Sequence, residues 1–279
     1  MISLLQVQKF RGKTGDNMAD KNYLHTAYAN SADGTDDFTT VYPNLNLLDG
    51  TKDFSGVWTF ASNWTTDGTY KGLTVKKITN QWFGISKTFI APKDGAYTFS
   101  AYVKSSGSSA NITRFVHKNG ADYRLDWAYK VLGNNFDWLR DSFTVTLKAS
   151  DTIYVRYEIT GPGSDSILWT AGHKWEEGST ATPHMPSASE VATADWPKYV
   201  GTYVDTNPTS SMEPSKYDWD EMKYRVYLDG TPVGGSKLLS FDLENLKAGT
   251  SYNVQVSQIN GNIESDKSES VAFKTTLPK

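Results

Sequence analysis

The chain contains no cysteine. That excludes disulfides, thiol nucleophiles and every cysteine-based metal site, and it suits folding in a reducing cytosol, even for a protein that later works outside a cell. No continuous apolar run approaches the roughly 18 residues a membrane-spanning helix needs, so none is expected. The opening Met1-Ile2-Ser3-Leu4-Leu5-Gln6 lacks the basic start and apolar centre of a signal peptide. Excess charge is missing too: 28 Lys and Arg face 31 Asp and Glu, a formal net charge of −3. With no basic stripe, a nucleic-acid partner is excluded, because phosphate binding needs clustered cations.

Catalytic signatures are equally sparse. Only four histidines occur (25, 117, 173 and 184), without a His-Glu-x-x-His pattern. No nucleophile elbow, Walker A loop or dinucleotide fingerprint is present. Glu176 and Glu177 are adjacent, which on a strand sends them to opposite faces, whereas glycoside hydrolysis needs two carboxylates facing one cleft. Pairs from distant strands, such as Asp126 with Glu158, stay open. The expectation is a protein that is not an enzyme, with a polysaccharide-degrading activity as the lesser alternative.

Aromatic residues are abundant, with nine Trp and sixteen Tyr. Seven of the Trp (58, 64, 82, 127, 138, 169 and 175) fall within residues 48–188. A sandwich of that size rarely needs seven in its core, so some belong on a binding surface. Strand signals in this stretch are dense. Tyr97–Val103 alternates after the turn Lys93-Asp94-Gly95, and Asn111–His117 runs into the hairpin signal Asn119-Gly120. Tyr123–Tyr129 alternates again, and Phe143–Leu147, Ile153–Tyr157 and Ile167–Trp175 follow. Strands spaced by turn clusters, without helical periodicity, indicate an all-β sandwich or jelly roll.

A pyranose ring offers an apolar C–H face and a rim of hydroxyls, so its site needs an exposed aromatic face beside a few fixed polar groups. Trp64 and Trp82 lie in polar, loop-like contexts that suit either stacking or core. Trp127 and Tyr129 share one face of the expected strand 123–129, with Tyr123 and Leu125, and that face either packs or binds. Trp58 and Trp138 are expected to pack, and of Trp169 and Trp175 the first is expected in the core. Strand 97–103 points Tyr97, Phe99, Ala101 and Val103 inward and Tyr102 outward, while strand 153–157 leaves Tyr154, Arg156 and Glu158 outward, with His117 beside them. The candidate saccharide-binding set is therefore Trp64, Trp82, Trp127, Tyr129, Tyr102, His117, Arg156 and Glu158. No metal site is assigned. No cofactor is expected beyond a structural calcium, for which Asp49, Asp53 and Asp165 are conceivable oxygen ligands.

Three stretches resemble known families. Tyr224-Arg-Val-Tyr-Leu-Asp-Gly230, Leu243-Glu-Asn-Leu246, Ala248-Gly-Thr-Ser-Tyr252 and Val271-Ala-Phe-Lys-Thr275 resemble a fibronectin type III domain, shorter than a complete one of about 100 residues. Asn46-Leu-Leu48, Gly95–Lys104 and Trp138–Val145 resemble the jelly-roll carbohydrate-binding modules of families four and nine. His25–Phe38 and Tyr199–Trp219 resemble segments of phage tail fibre and baseplate proteins, and the whole is similar to accessory baseplate proteins of siphophages infecting lactococci or streptococci.

These resemblances imply an attachment arm at 1–21, whose Gly12 and Gly15 only echo a Gly-X-Y repeat, and a small tail-type domain from 22–47 with 189–222. A binding-module-like sandwich at 48–188 would be inserted in that domain, and a partial fibronectin-like unit would follow at 223–279. The implied function is host adhesion in the virion tail or baseplate, after synthesis in the host cytoplasm. The implied partners are host cell-wall polysaccharide and other baseplate or tail proteins, with no membrane partner. The alternative from the same residues is a purely structural tail subunit without sugar binding.

Overall fold

In the computed structural model of the protein, residues 22–120, 125–161 and 165–276 are described. The expected attachment arm therefore lies outside the described residues, as do Tyr123 and Arg124. The chain divides into two compact units: residues 44–191, and residues 1–43 together with 192–279. Both are built from strands and single 3-10 turns among the described residues, so the protein is all-β. No helix among them is long and apolar enough to cross a membrane.

The discontinuous unit begins with β1 (Tyr23–Ala29). The continuous unit then supplies β2 (Thr65–Tyr70), β3 (Leu73–Ile78), β4 (Phe89–Ile90), β5 (Gly95–Ser106), β6 (Asn111–Lys118), β7 (Lys130–Gly133), β8 (Leu139–Leu147), β9 (Thr152–Thr160) and β10 (Ile167–Glu177). Its strands form a five-stranded sheet in the order β2-β3-β10-β5-β8 and a four-stranded sheet in the order β4-β9-β6-β7. From β3 to β6 and again from β7 to β10, successive strands alternate between the sheets, as a jelly-roll sandwich requires. Tyr97, Phe99, Ala101 and Val103 of β5 face Ile112, Val116, Ile153, Val155, Tyr157 and Ile159 of the opposite sheet in one buried cluster. The period-two pattern of β5 thus sets its core face as the sequence suggests.

Two stretches depart from that pattern. Instead of an expected strand over 123–129, a 3-10 turn spans Asp126–Ala128, and pairing with β6 begins only at Lys130. Leu125 and Ala128 are drawn into the core, and the i→i+3 bonds from Ala128 N to Leu125 O (3.0 Å) and Tyr129 N to Asp126 O (3.2 Å) replace a ladder. In β10 a bulge between Ala171 and Lys174, with Gly172 at φ +58°, shifts the side-chain parity. Leu168 then faces the core before the bulge and Trp175 after it, while Trp169 packs on the outer face beside Tyr102. The expected core position of Trp169 is overturned for this reason.

After residue 191 the discontinuous unit resumes with β11 (Tyr199–Asp205) and β12 (Asp218–Glu221), which join β1 in a sheet ordered β1-β11-β12. Buried His25 ties this sheet to the loop beyond β11, contacting Ser210 Oγ at 3.0 Å and Asp205 Oδ1 at 3.0 Å. The last strands are β13 (Tyr224–Leu228), β14 (Thr231–Ser236), β15 (Ser251–Asn260), β16 (Ile263–Glu264) and β17 (Val271–Lys274). They pair in the order β14-β13-β15-β16, with β17 also on β15. Buried Arg225 on β13 binds the Tyr42 hydroxyl at 3.1 Å and the Glu264 carboxylate, and it lies over the Trp196 ring.

Candidate functional site

The outward face of the four-stranded sheet carries a row of aromatic and polar side chains from β6 and β9. Register sets its rows. Tyr154 of β9 lies opposite His117 of β6, Arg156 opposite Phe115, and Glu158 opposite Thr113. The His117 and Tyr154 rings stack at 5.0 Å, 4° from parallel. The Arg156 guanidinium sits over the Phe115 ring at 5.4 Å, and Phe115 meets Tyr129 edge-on at 5.4 Å. Arg156 Nε donates to Glu158 Oε1 at 2.6 Å and Nη1 to the Tyr154 hydroxyl at 3.2 Å. Glu158 is buried, so its charge is matched by a partner in place rather than by water. At the end of β6, on the opposite parity to His117, Lys118 binds Asp151 at 2.7 Å, and that bond first, then Asn119, holds the Asp151 carboxyl down to about 2.

The loop from β3 to β4 lies along β9. Gly84 rests on Arg156 and Glu158, and Gln81 donates to the Gly161 carbonyl. Trp82, between them, stands with 55% of its surface exposed and its backbone at φ +66°. A bulky residue in the left-handed region is uncommon and costs on the order of 1–2 kcal/mol, so something else in the loop fixes it there.

Of the eight expected site residues, the structure gathers four on this face, Tyr129, His117, Arg156 and Glu158, and sets Trp82 exposed in the loop whose Gly84 rests on Arg156 and Glu158. His117 and Glu158 point outward as alternation requires but are buried by their neighbours. The other three lie elsewhere. Trp64 is buried in the core, and its Nε1 donates to the Phe83 carbonyl at 2.6 Å, so its ring is not available for stacking. Tyr102 points outward from the other sheet, and there Tyr70, Leu73, Val75, Trp138, Trp169 and Ala171 cover it. Trp127, which the strand pattern leaves as core or surface, is 62% exposed on its 3-10 turn, edge-on to Phe143 at 6.1 Å.

Phe115 joins the face unforeseen. Phe115 shares the parity of His117 on β6, so alternation alone could have found it. The conceivable calcium ligands do not converge. Asp49 accepts from Ser189, Asp53 from the Ser55 amide and Asp165 from the amides of Ser108 and Ser109. Among the described residues no group of three or more His, Asp or Glu is placed to hold a metal ion.

No curated protein matches the chain. A family described as the minor structural protein 5-like, C-terminal domain (BppU-like) matches residues 197–255. The CBM22-1 xylan-binding domain from Paenibacillus barcinonensis Xyn10C aligns at 15% identity and a TM-score of 0.36, over 50% of this chain and 99% of its own. A family four carbohydrate-binding module aligns at 16% identity and a TM-score of 0.31, over 41% of this chain and 78% of its own. A chain of the tripod (BppUct-A-L) from the baseplate of bacteriophage Tuc2009 aligns at 51% identity and a TM-score of 0.71, over 94% of this chain and 100% of its own. At that identity and coverage the chain belongs to the family of this phage baseplate tripod protein, as an accessory baseplate component of a virion.

Proposed function

We propose that this baseplate protein, which works among other baseplate chains, binds host cell-surface saccharide on the outward face of the β4-β9-β6-β7 sheet and assists adhesion without catalysis. The observation that carries the reading is Trp82, exposed in a left-handed backbone two residues before Gly84, which seats on Arg156 and Glu158. An exposed indole offers a flat apolar surface to sugar C–H groups at low entropic cost. Partly exposed Arg156 supplies a donor for sugar hydroxyls, held in place by its bond to buried Glu158. From Arg156 on β9 through Phe115 on β6 to Tyr129, at the turn that leads into β7, the face is about 10 Å across, which is wider than one pyranose ring and suits a chain of sugars. Many copies on a virion convert weak single contacts into avidity.

The test is binding of labelled protein to host cells and to their extracted wall polysaccharide. Trp82→Ala is expected to lower affinity at least tenfold, the loss of a central anchor worth about 2 kcal/mol. Its stability should stay within about 0.5 kcal/mol, because the ring is exposed. An unmutated protein that binds neither cells nor polysaccharide would instead leave a purely structural subunit.

A further inference from the structure

The backbone of the β3–β4 loop is held on both sides of Trp82. The Phe83 carbonyl accepts from buried Trp64 Nε1 at 2.6 Å, and Gln81 donates to Gly161 O. The Phe83 ring meets Phe60 edge-on at 5.6 Å, and Ser86 forms an antiparallel bridge with Thr59. Gly84 is the closest point. A Cβ there would stand 2.8 Å from Arg156 Cβ, 2.8 Å from the Tyr157 carbonyl oxygen and 2.9 Å from Glu158 Cγ. Its φ lies outside the left-handed region, so backbone conformation does not demand glycine at this position. Space does. Tyr157 O belongs to the paired backbone of β9 and β6, which cannot yield as a side-chain tip would.

We infer that Gly84 is a positioning residue of the saccharide site. Its missing side chain lets the loop seat directly on Arg156 and Glu158, and that seat fixes the Trp82 ring as a preset wall. Ligand then binds without loop closure, and the entropy of ordering the wall is already spent in folding. The inference rests on the saccharide reading for its purpose but not for its geometry. Any β-carbon at position 84 must lift the loop by more than half an ångström to reach ordinary contact.

The experiment uses the full chain with ¹⁵N-labelled tryptophan, in which Trp82→Phe identifies the Trp82 indole resonance. Gly84→Ala is expected to move that resonance while the indoles of Trp58 and Trp175 stay in place. It should also weaken polysaccharide binding up to about tenfold, the worth of one aromatic contact. Trp64→Phe keeps the buried ring but deletes the bond to Phe83 O, so it should act in the same direction. It serves as the second variant if Gly84→Ala does not fold. An unmoved Trp82 resonance in the folded variant overturns the positioning role, whatever binding does. A moved resonance with unchanged affinity overturns the claim that a preset wall matters. If the unmutated protein binds no polysaccharide, the saccharide reading falls, and the resonance alone decides whether Gly84 sets Trp82.

Discussion

His173 shows how one residue couples the core to pH. The bulge in β10 turns its ring into the core, edge-on to Phe54, Trp58, Phe99 and Tyr157, with Nε2 2.9 Å from Thr170 Oγ1. Burial disfavours the imidazolium and pushes the pKa from 6.5 down to about 3. The unfolded chain takes up this proton near pH 6.5 and the native protein only near 3. Stability present above 6.5 is therefore lost progressively as pH falls through that window, at about 1.4 kcal/mol per unit. His184, also pushed down to about 3 by burial first, adds to the slope. His173→Phe is expected to shrink the difference in unfolding free energy between pH 7 and pH 4.5 by roughly 2–3 kcal/mol. Urea titrations at the two pH values measure it, and an undiminished difference would mean that His173 is protonated in the native state.

At the scale of elements, the same bulge marks where sequence pattern stops specifying structure. Gly172 combines φ +58° with a Cβ position 2.6 Å from Leu73 Cδ1 and 3.3 Å from rings of Tyr102 and His184. Gly172→Ala is expected to cost the left-handed penalty of about 1 kcal/mol plus an overpacking cost of similar size or more. Gly68→Ala, at φ +78° with nothing within 4 Å, should cost only the first part. Equal losses in urea midpoint would show that the bulge tolerates a side chain.

Strict alternation along β5, β6 and β9 made the inward face of Tyr97–Val103 and the outward row of Tyr154, Arg156 and Glu158 legible from sequence. It failed in β10, because a single left-handed glycine reverses parity without any local signature in the apolar pattern. It failed again at 123–129, where tertiary packing of Leu125 and Ala128 favours a 3-10 turn over a strand. Within the candidate site, Trp64 and Trp82 have similar polar neighbours in sequence. Only the third dimension separates them. The partner of the Trp64 indole, Phe83 O, lies across the loop, and Gly84 needs Arg156 and Glu158 to define its seat.

For the whole molecule, the continuous unit closes on itself where the chain enters and leaves it. Asn46 pairs in parallel with Ser187, Asn46 N donates to Pro186 O at 3.1 Å, and Leu47 N donates to Trp175 O at 2.8 Å. Gly50 N reaches the Glu190 carboxylate at 2.9 Å. Beneath these segments buried Lys174 donates to Glu176, Thr182 Oγ1 and Pro183 O, and burial first lowers its pKa to about 7 despite the Glu176 partner. Every one of these bonds lies within residues 44–191, as does the aromatic core of both sheets and the whole Trp82 face. A domain with its own core and paired ends has the means to fold alone. A fragment spanning 44–191 is therefore expected to melt in one cooperative transition and to bind wall polysaccharide with the single-site affinity of the full chain. Calorimetry of the fragment beside its binding isotherm checks both. A fragment without a cooperative transition would mean that the core needs the flanking unit, while one that folds but does not bind would move the saccharide site out of this sandwich.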